Sequence, residues 1–96
     1  MGKGNYYVYI TTNPRKTVLY TGVTNDLKMR LKQHYLNRGN AKTFAGKYHC
    51  HKLIYFEHYP DIVHAIAREK EIRDMSREQK WLLIATTNPH KNFLLA

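Results

Sequence analysis

The sequence has few acidic residues, a single cysteine and no long apolar segment. Only 7 Asp and Glu stand against 16 Lys and Arg, which gives a formal net charge of +9. Because Cys50 is the only cysteine, an intramolecular disulfide is excluded; this is typical of a reducing compartment, and we expect a cytoplasmic protein. No apolar run approaches the roughly 20 residues that a transmembrane helix needs, and the first residues lack the apolar core of a secretory signal.

The excess of positive charge favours a polyanionic partner. Nucleic acid fits better than a membrane surface, because the chain has neither a basic helix with a strong apolar stripe nor a lipidation signal. A basic surface without any partner is the alternative. The length of 96 residues suits one domain, residues 1–96, and leaves no second domain to choose a target.

Three segments rich in aromatic and β-branched residues predict β-strands, at residues 5–12, 17–24 and 52–59. Asn13-Pro14 forms a turn between the first two, because Asn and Pro interrupt strands and Pro cannot continue a central one. These two strands are therefore predicted to form an antiparallel hairpin.

Helical periodicity predicts three helices, at about residues 26–39, 60–75 and 76–86. Leu27, Leu31 and Tyr35 recur at helical spacing and are expected to form the buried face of the first. Ser76 and Gln79 have the spacing of a capping box and start the third. The polar, basic segment 40–51 is expected to be a loop. The order β-β-α-β-α-α predicts an α+β fold, a small three-stranded antiparallel sheet flanked by helices.

Four residues are candidates for phosphodiester chemistry, which needs a base for the attacking water and positive charge for the phosphoryl group. Tyr9 and Tyr20 lie on the predicted hairpin, although a strand tyrosine is more often structural and is a weak base at neutral pH. Arg30 and His34 are four positions apart and share a helix face. The planar guanidinium of Arg30 suits two phosphate oxygens, whereas an arbitrary helical arginine is usually only solvated.

One carboxylate is a candidate metal ligand. Glu69 lies three positions from both Ile66 and Ile72, which places it on or near the predicted inward side of the second helix. A surface ion pair with Arg73, four positions on, is the alternative. Mg²⁺ is usually held by one or two carboxylates together with waters and substrate phosphates, so a single glutamate is a sufficient protein contribution.

Taken together, these residues resemble the signature of the GIY-YIG nuclease superfamily. Tyr7-Val8-Tyr9 matches its first tyrosine motif, with tyrosine in place of glycine, and Tyr20-Thr21-Gly22 matches the second, with threonine at the centre. Arg30 stands at the position of the arginine on the first helix. The segment Ala65 to Arg73 is similar to the glutamate-bearing helix of the superfamily.

The resemblance covers nearly the whole chain, from about Asn5 to Leu94, and is strongest to small standalone, UvrC-like members. In that group the glutamate helix is followed by a Ser-Arg-x-x-Lys segment and a late Asn-Pro. Residues 76–80 match the former and Asn88-Pro89 the latter.

The resemblance implies a divalent-metal-dependent DNA endonuclease, in DNA repair or recombination. It implies that Tyr9, helped by His34, activates water and that Tyr20 orients the water or the phosphate. Arg30 would stabilise the phosphoryl charge, and Glu69 would bind one Mg²⁺ or Mn²⁺. Whether the tyrosine or the histidine is the base stays open at this point. Asn88 is an additional candidate site residue.

A non-catalytic nucleic-acid-binding module with the same fold is the alternative function. Both readings predict DNA as a partner, and a protein partner would supply the choice of target. The basic residues expected to contact DNA flank the proposed site: Lys28, Lys32, Arg38, Lys42 and Lys47.

Overall fold

The structure, a computed structural model, describes residues 3–96. In chain order its elements are β1 (Lys3–Thr12), β2 (Leu19–Thr24), α1 (Leu27–Leu36), α2 (Phe44–Lys47), β3 (Lys52–Asp61), α3 (Ile62–Arg73) and α4 (Arg77–Ala85). The strands form an antiparallel sheet in the order β2-β1-β3, with β1 in the centre, so the α+β prediction is confirmed. The short helix α2 lies in the segment expected to be a loop.

The strand bounds differ from the predicted ones for local reasons. The side-chain oxygen of Asn13 accepts hydrogen bonds from the backbone N–H groups of Thr17 and Val18, at 2.8 and 3.0 Å. These two residues therefore belong to the turn, and β2 begins only at Leu19. β3 extends to Asp61 and includes Pro60. It is an edge strand, where the missing N–H of a proline can face away from the ladder.

Polar side chains fix the starts of the long helices. Asp26 caps α1 by accepting from the N–H of Met29, and Asp61 caps α3 by accepting from that of Val63. The capping box at Ser76 is present as predicted and starts α4. Each such cap satisfies N–H groups that have no partner within the helix, typically contributing about 1 kcal/mol.

Alternation along the central strand separates two apolar clusters. Val8 and Ile10 point to one face of the sheet, where they pack with the buried residues Ala65 and Ile72 of α3. Tyr9 points to the other face and packs in a cluster with Leu27 of α1, Leu53 of β3 and Leu94 of the C-terminal segment. The helix α1 and the predicted glutamate helix α3 thus cover opposite faces.

Two predicted burial patterns are wrong in detail. On α1 the buried side runs through Leu27 and His34, while Tyr35 is about half exposed. On α3 Ile66 is exposed, while Ala65 and Ile72 are fully buried. Positions three and four residues apart can both continue a helical stripe, so periodicity alone did not select between them. Within residues 3–96 no helix is long and apolar enough to cross a membrane.

Candidate active site

The centre of the candidate site is a buried tyrosine–histidine pair. The hydroxyl of Tyr9 and Nε2 of His34 lie 2.8 Å apart, a hydrogen-bond distance, although the residues are 25 positions apart in the chain. Tyr9 is fully buried and His34 nearly so. The pair joins the central strand of the sheet to α1, so it is positioned by the two elements that form this face of the core.

Gly22 provides the space for the Tyr9 ring. The two residues are direct partners across β1 and β2. A Cβ atom built on Gly22 would lie 2.5 Å from the Tyr9 hydroxyl oxygen and 2.6 Å from the ring carbon that bears it. The absence of a side chain on β2 is therefore what allows the tyrosine to lie over the neighbouring strand and reach α1. The sequence motif contained this glycine, but no role followed from its position alone.

Tyr20 lies beside this pair on the same face of the sheet. Its ring centroid is 6.4 Å from that of Tyr9 and 5.3 Å from that of His34. Tyr20 is only partly buried, and together with Arg30 and His34 it borders a cleft of about 170 Å³. Solvent therefore reaches Tyr20 from a cleft that leads to the buried Tyr9–His34 pair.

Arg30 adds positive charge to this cluster. It is partly buried on α1, and its guanidinium donates to the side-chain oxygen of Gln33 at 3.0 Å. Burial alone would lower the pKa of Arg30, but interaction with the hydroxyls of Tyr9 and Tyr20 outweighs it and raises the pKa. The guanidinium therefore stays charged next to both tyrosines.

Burial holds the central pair neutral near pH 7. It raises the pKa of Tyr9 to about 12, against the opposing influence of Arg30. Burial also lowers the pKa of His34 to about 4, and the charges of Arg30 and His51 act in the same direction. With His34 neutral, its Nε2 can accept the hydrogen bond that the Tyr9 hydroxyl donates.

Glu69 lies on α3, one turn before Arg73, which lines a cleft together with Tyr20 at the edge of the sheet. Its side chain is only 12% exposed, and its closest cation is the guanidinium of Arg73, 3.5 Å away. The carboxylate is near enough to Tyr9 that its charge contributes to raising the pKa of that hydroxyl. Glu69 therefore does not point into bulk solvent, and it is also in the ion pair with Arg73 that formed the alternative interpretation.

The family follows from this arrangement and from one comparison. The GIY-YIG catalytic domain family matches residues 5–82, a range that contains both tyrosines, Arg30, His34 and Glu69. This chain belongs to the GIY-YIG family. The resemblance inferred from the sequence is thereby confirmed, and it places the chain in a superfamily of nucleases.

Relatives align with this GIY-YIG chain over most of its length. The UPF0213 protein of Clostridium perfringens is 38% identical over 80 residues, 83% of each chain, and that of Haloquadratum walsbyi is 36% identical over 75 residues, 78% of this chain and 81% of its own. The solution structure of the UPF0213 protein from Bacillus halodurans matches with a TM-score of 0.56 and 29% identity, covering 90% of this chain and 88% of that one. The names of these relatives state no activity.

The donor set of this GIY-YIG chain suits a divalent ion held largely by water and substrate. In the part of the chain that the structure describes, no cluster of three or more His, Cys, Asp or Glu side chains could enclose a metal. Glu69 provides one hard, largely buried carboxylate whose charge acts on Tyr9. Mg²⁺ and Mn²⁺ accept oxygen ligands of this kind, and Mg²⁺ in particular retains several waters. A single such ion therefore fits the residues present.

Asn88 has a different environment from the other site candidates. Its side-chain nitrogen donates to the carbonyl oxygens of Ile54 and Asn92, at 2.9 and 2.8 Å, and its oxygen accepts from the N–H of Asn92 at 3.0 Å. These bonds tie the segment after α4 to β3. The hydrogen-bonding groups of Asn88 are thus engaged with backbone rather than with the tyrosine–histidine pair.

The basic residues predicted to contact DNA are all exposed. Arg38 lies over the ring of Tyr35, with its guanidinium carbon 3.7 Å from the centroid, and Lys47 lies over Tyr48 at 5.4 Å. Lys28 borders a separate cleft of about 380 Å³, next to Tyr7 and Phe56. DNA contact by these residues stays a prediction: Lys28, Lys32, Arg38, Lys42 and Lys47.

Sequence reasoning also missed Phe44, which borders the active-site cleft. It lies on α2 and stacks on Tyr20, with centroids 6.3 Å apart and ring planes inclined by 26°. The signal available in the sequence was a pair of aromatic residues, Phe44 and Tyr48, within a polar, basic segment.

Proposed function

We propose that this chain is a divalent-metal-dependent endonuclease that hydrolyses phosphodiester bonds of DNA. The observation that supports it most directly is the 2.8 Å contact between the Tyr9 hydroxyl and His34, in a cluster with Tyr20 and Arg30. Packing of the strand alone does not require a buried tyrosine–histidine hydrogen bond beside a charged arginine. It supplies a proton acceptor and a phosphate-binding cation at one cleft.

Arg30 would bind the scissile phosphate at the cleft shared with Tyr20 and His34. Its planar fork suits two phosphate oxygens, and charge-assisted bonds of this kind are about twice as strong as neutral ones. Tyr20 would donate its hydroxyl hydrogen bond to the phosphate or to the attacking water. Both groups act on charge that grows during the reaction.

Phosphate binding would also activate the pair. The charge of Arg30 helps to lower the pKa of His34, so an anion that pairs with Arg30 removes part of that influence. The basicity of His34 then rises, and the histidine can take the Tyr9 proton as Tyr9 takes one from water. In the alternative mechanism, His34 takes the proton from water directly, and the Tyr9 hydroxyl only holds the imidazole ring of His34 in position.

One Mg²⁺ or Mn²⁺ held by Glu69 would neutralise charge on the phosphoryl group and the leaving oxygen. Glu69 itself contributes the negative charge that attracts the ion to this side of the cleft. A role in DNA repair or recombination, with a protein partner that supplies the choice of target, completes the proposal.

A non-catalytic DNA-binding module is the second candidate, and one observation favours it. Near neutral pH the Tyr9 hydroxyl stays protonated, since its pKa is about 12, and the neutral His34 ring is only a weak base, since its pKa is about 4. Without the activating effect of a bound phosphate, such a site would bind DNA and cleave it slowly.

The test is nicking of supercoiled and branched DNA with Mg²⁺ or Mn²⁺. Glu69→Gln keeps the shape of the side chain but removes its charge, and Arg30→Ala removes the phosphate-binding group. We expect either change to lower the rate about 10²- to 10³-fold, the usual effect of losing one charge-stabilising group. Circular dichroism should show that both variants remain folded.

Matched variants and chelation make the test specific. Glu78→Gln changes an exposed carboxylate on α4, and Arg15→Ala changes an exposed arginine in the β1–β2 turn, so both should retain activity. Cleavage that persists in EDTA, or that both site variants retain, would overturn the assignment. DNA binding without any cleavage by the unmodified protein would support the binding module instead.

A further inference from the structure

Three aromatic residues form a continuous row next to the candidate active site. Tyr20 stacks on Phe44, and Phe44 contacts Tyr48 with ring centroids 4.8 Å apart. Phe44 is 52% exposed and Tyr48 is 39% exposed. We refer to Tyr20, Phe44 and Tyr48 as the aromatic row. Large apolar side chains at this exposure contribute little to the core, so the row is free to meet a ligand.

The short helix α2 holds Phe44 in a fixed place. Thr43 caps it by accepting from the N–H of Gly46 at 3.0 Å. A Cβ on Gly46 would lie 2.6 Å from the carbonyl oxygen of Asn40, so the turn packs too closely against the preceding loop for a side chain at this position. Ala45 and Gly46 are buried, whereas Phe44 and its neighbours Lys47 and Tyr48 are exposed. The helix therefore buries its small residues and presents its large ones.

The row borders two clefts that meet at Tyr20 and Phe44. One is the active-site cleft with Arg30 and His34. The other, of about 280 Å³, is also lined by Arg73 and Lys80. Flat aromatic surface and positive charge thus alternate along a path that passes the proposed position of the scissile phosphate.

We propose that the aromatic row stacks an unpaired nucleobase beside the scissile phosphate, so that the preferred substrate is single-stranded DNA or DNA with an unpaired segment at the cut. This inference rests on the proposed function, because it names the substrate of the same site. In a duplex both faces of each base are covered by neighbouring bases. Only an unpaired or extruded base can stack on a side chain.

Charge favours DNA over a protein partner as the occupant of the row. Lys47 lies against Tyr48, and Arg73 and Lys80 line the cleft beside Phe44. Arg73 is already paired with Glu69, but a protein docking on apolar surface would have to leave Lys47 and Lys80 unpaired or match each with an acid. A nucleic acid strand satisfies them with phosphates at the spacing of its bases.

The experiment measures binding by fluorescence anisotropy in EDTA, with a labelled single strand and with the same sequence as a duplex. Phe44→Ala should weaken single-strand binding about tenfold, within the range for one base–aromatic stack, and change duplex binding less than twofold. Phe44→Leu, which keeps apolar area but lacks a ring, should lose nearly as much. Phe93→Ala removes an aromatic residue of similar exposure away from the row and should change neither.

A single strand with one abasic position, moved along the sequence, gives a second readout. When the missing base is the one that stacks, the abasic strand should bind the unmodified protein about tenfold more weakly than the intact strand does. The Phe44→Ala protein should bind the two strands equally well, because the two changes remove the same contact. Equal losses for single strand and duplex, or additive losses of side chain and base, would overturn the inference.

Because binding is measured without metal, absence of cleavage would count against the proposed function alone. Equal cleavage of single strand and duplex, unaffected by Phe44→Ala, would count against this inference alone.

Discussion

At the level of single residues, the candidate site depends on a glycine as much as on the side chains that could react. The Tyr9 ring occupies the space above Gly22 and thereby reaches His34 across the sheet. Neither residue could be enlarged without moving the other. The tyrosine is therefore fixed by packing before any substrate binds, which is the usual requirement for a precise proton-transfer group.

Gly22→Ala is expected to displace Tyr9. The new methyl group would lie 2.5 Å from the tyrosine oxygen, so the ring must shift and its hydrogen bond to His34 must lengthen or break. We expect a loss of about 1–3 kcal/mol of unfolding free energy, as for other overpacked sites, and an activity loss as large as that of Tyr9→Phe. Urea denaturation and the nicking assay measure the two effects. Gly4→Ala, where the nearest atom is 3.4 Å away, should be neutral, and a Gly22→Ala protein with full activity would contradict the role of this close contact.

The buried His34 should make stability depend on pH. Burial lowers its pKa to about 4, below the ordinary value of 6.5, so between these values the unfolded chain binds the proton more readily. Stability is then fully present above pH 6.5 and is lost as pH falls through 4, by up to about 3 kcal/mol. Urea denaturation at several pH values should show a shallower dependence for His34→Gln than for the unmodified chain. His90→Gln, at an exposed histidine, should leave the dependence unchanged; parallel curves for all three proteins would refute the assignment.

At the level of elements, α3 is fixed to the sheet by an ion pair next to Glu69. Nε and Nη2 of Arg68 contact the two carboxylate oxygens of Glu57 on β3, at 2.9 and 3.0 Å, and Tyr55 and Tyr59 donate their hydroxyls to the same carboxylate. Burial opposes ionisation of Glu57, but Arg68 and these hydroxyls lower its pKa below the usual value. Since Arg68 precedes Glu69 on the helix, we expect this pair to help position the candidate metal ligand.

Arg68→Met should therefore affect both stability and metal use. The side chains of Glu57 and Arg68 are only 17% and 24% exposed, so removing one leaves a partly buried charge. We expect a loss of about 1–3 kcal/mol of unfolding free energy. The Mg²⁺ concentration for half-maximal nicking should rise, because Glu69 would no longer be held in place. Lys70→Met, at the exposed position after Glu69, serves as the control; an unchanged metal requirement in Arg68→Met would show that the pair is purely structural.

The elements also show what could be read from the sequence. The strands, the hairpin and the capping box at Ser76 followed from local chemistry. The helix α2 was missed because four residues are too few for helical periodicity to show. On α1 the periodicity allowed either His34 or Tyr35 inward, and contact with Tyr9, 25 positions away, decided it. The position of Glu69 relative to Tyr9 likewise depends on how α3 crosses the sheet, which no local pattern encodes.

At the scale of the whole molecule, the exposed and the buried charges differ in number and sign. The net charge of +9 comes largely from exposed lysines and arginines, whereas the charged groups of the candidate site are partly buried. Exposed cations attract DNA without regard to its sequence. In the proposed function, the partly buried groups would act only on the phosphate that reaches the cleft. Loss of an exposed lysine should therefore weaken binding without changing the rate of cleavage at saturating DNA.

DNA affinity should fall steeply with salt, since each lysine or arginine that neutralises a phosphate releases a counterion. In a plot of log affinity against log salt for single-stranded DNA, Lys47→Gln should reduce the slope by about 0.7. Lys47 lies beside the aromatic row, so its loss should also weaken binding at low salt. Lys91→Gln, at an exposed lysine that lies over Trp81 of the other apolar cluster, removes the same charge and should leave the slope unchanged. Equal slopes for all three proteins would mean that DNA does not follow the surface between α1 and α2, whereas a reduced slope only for Lys47→Gln would place the strand along the cleft that contains Arg30.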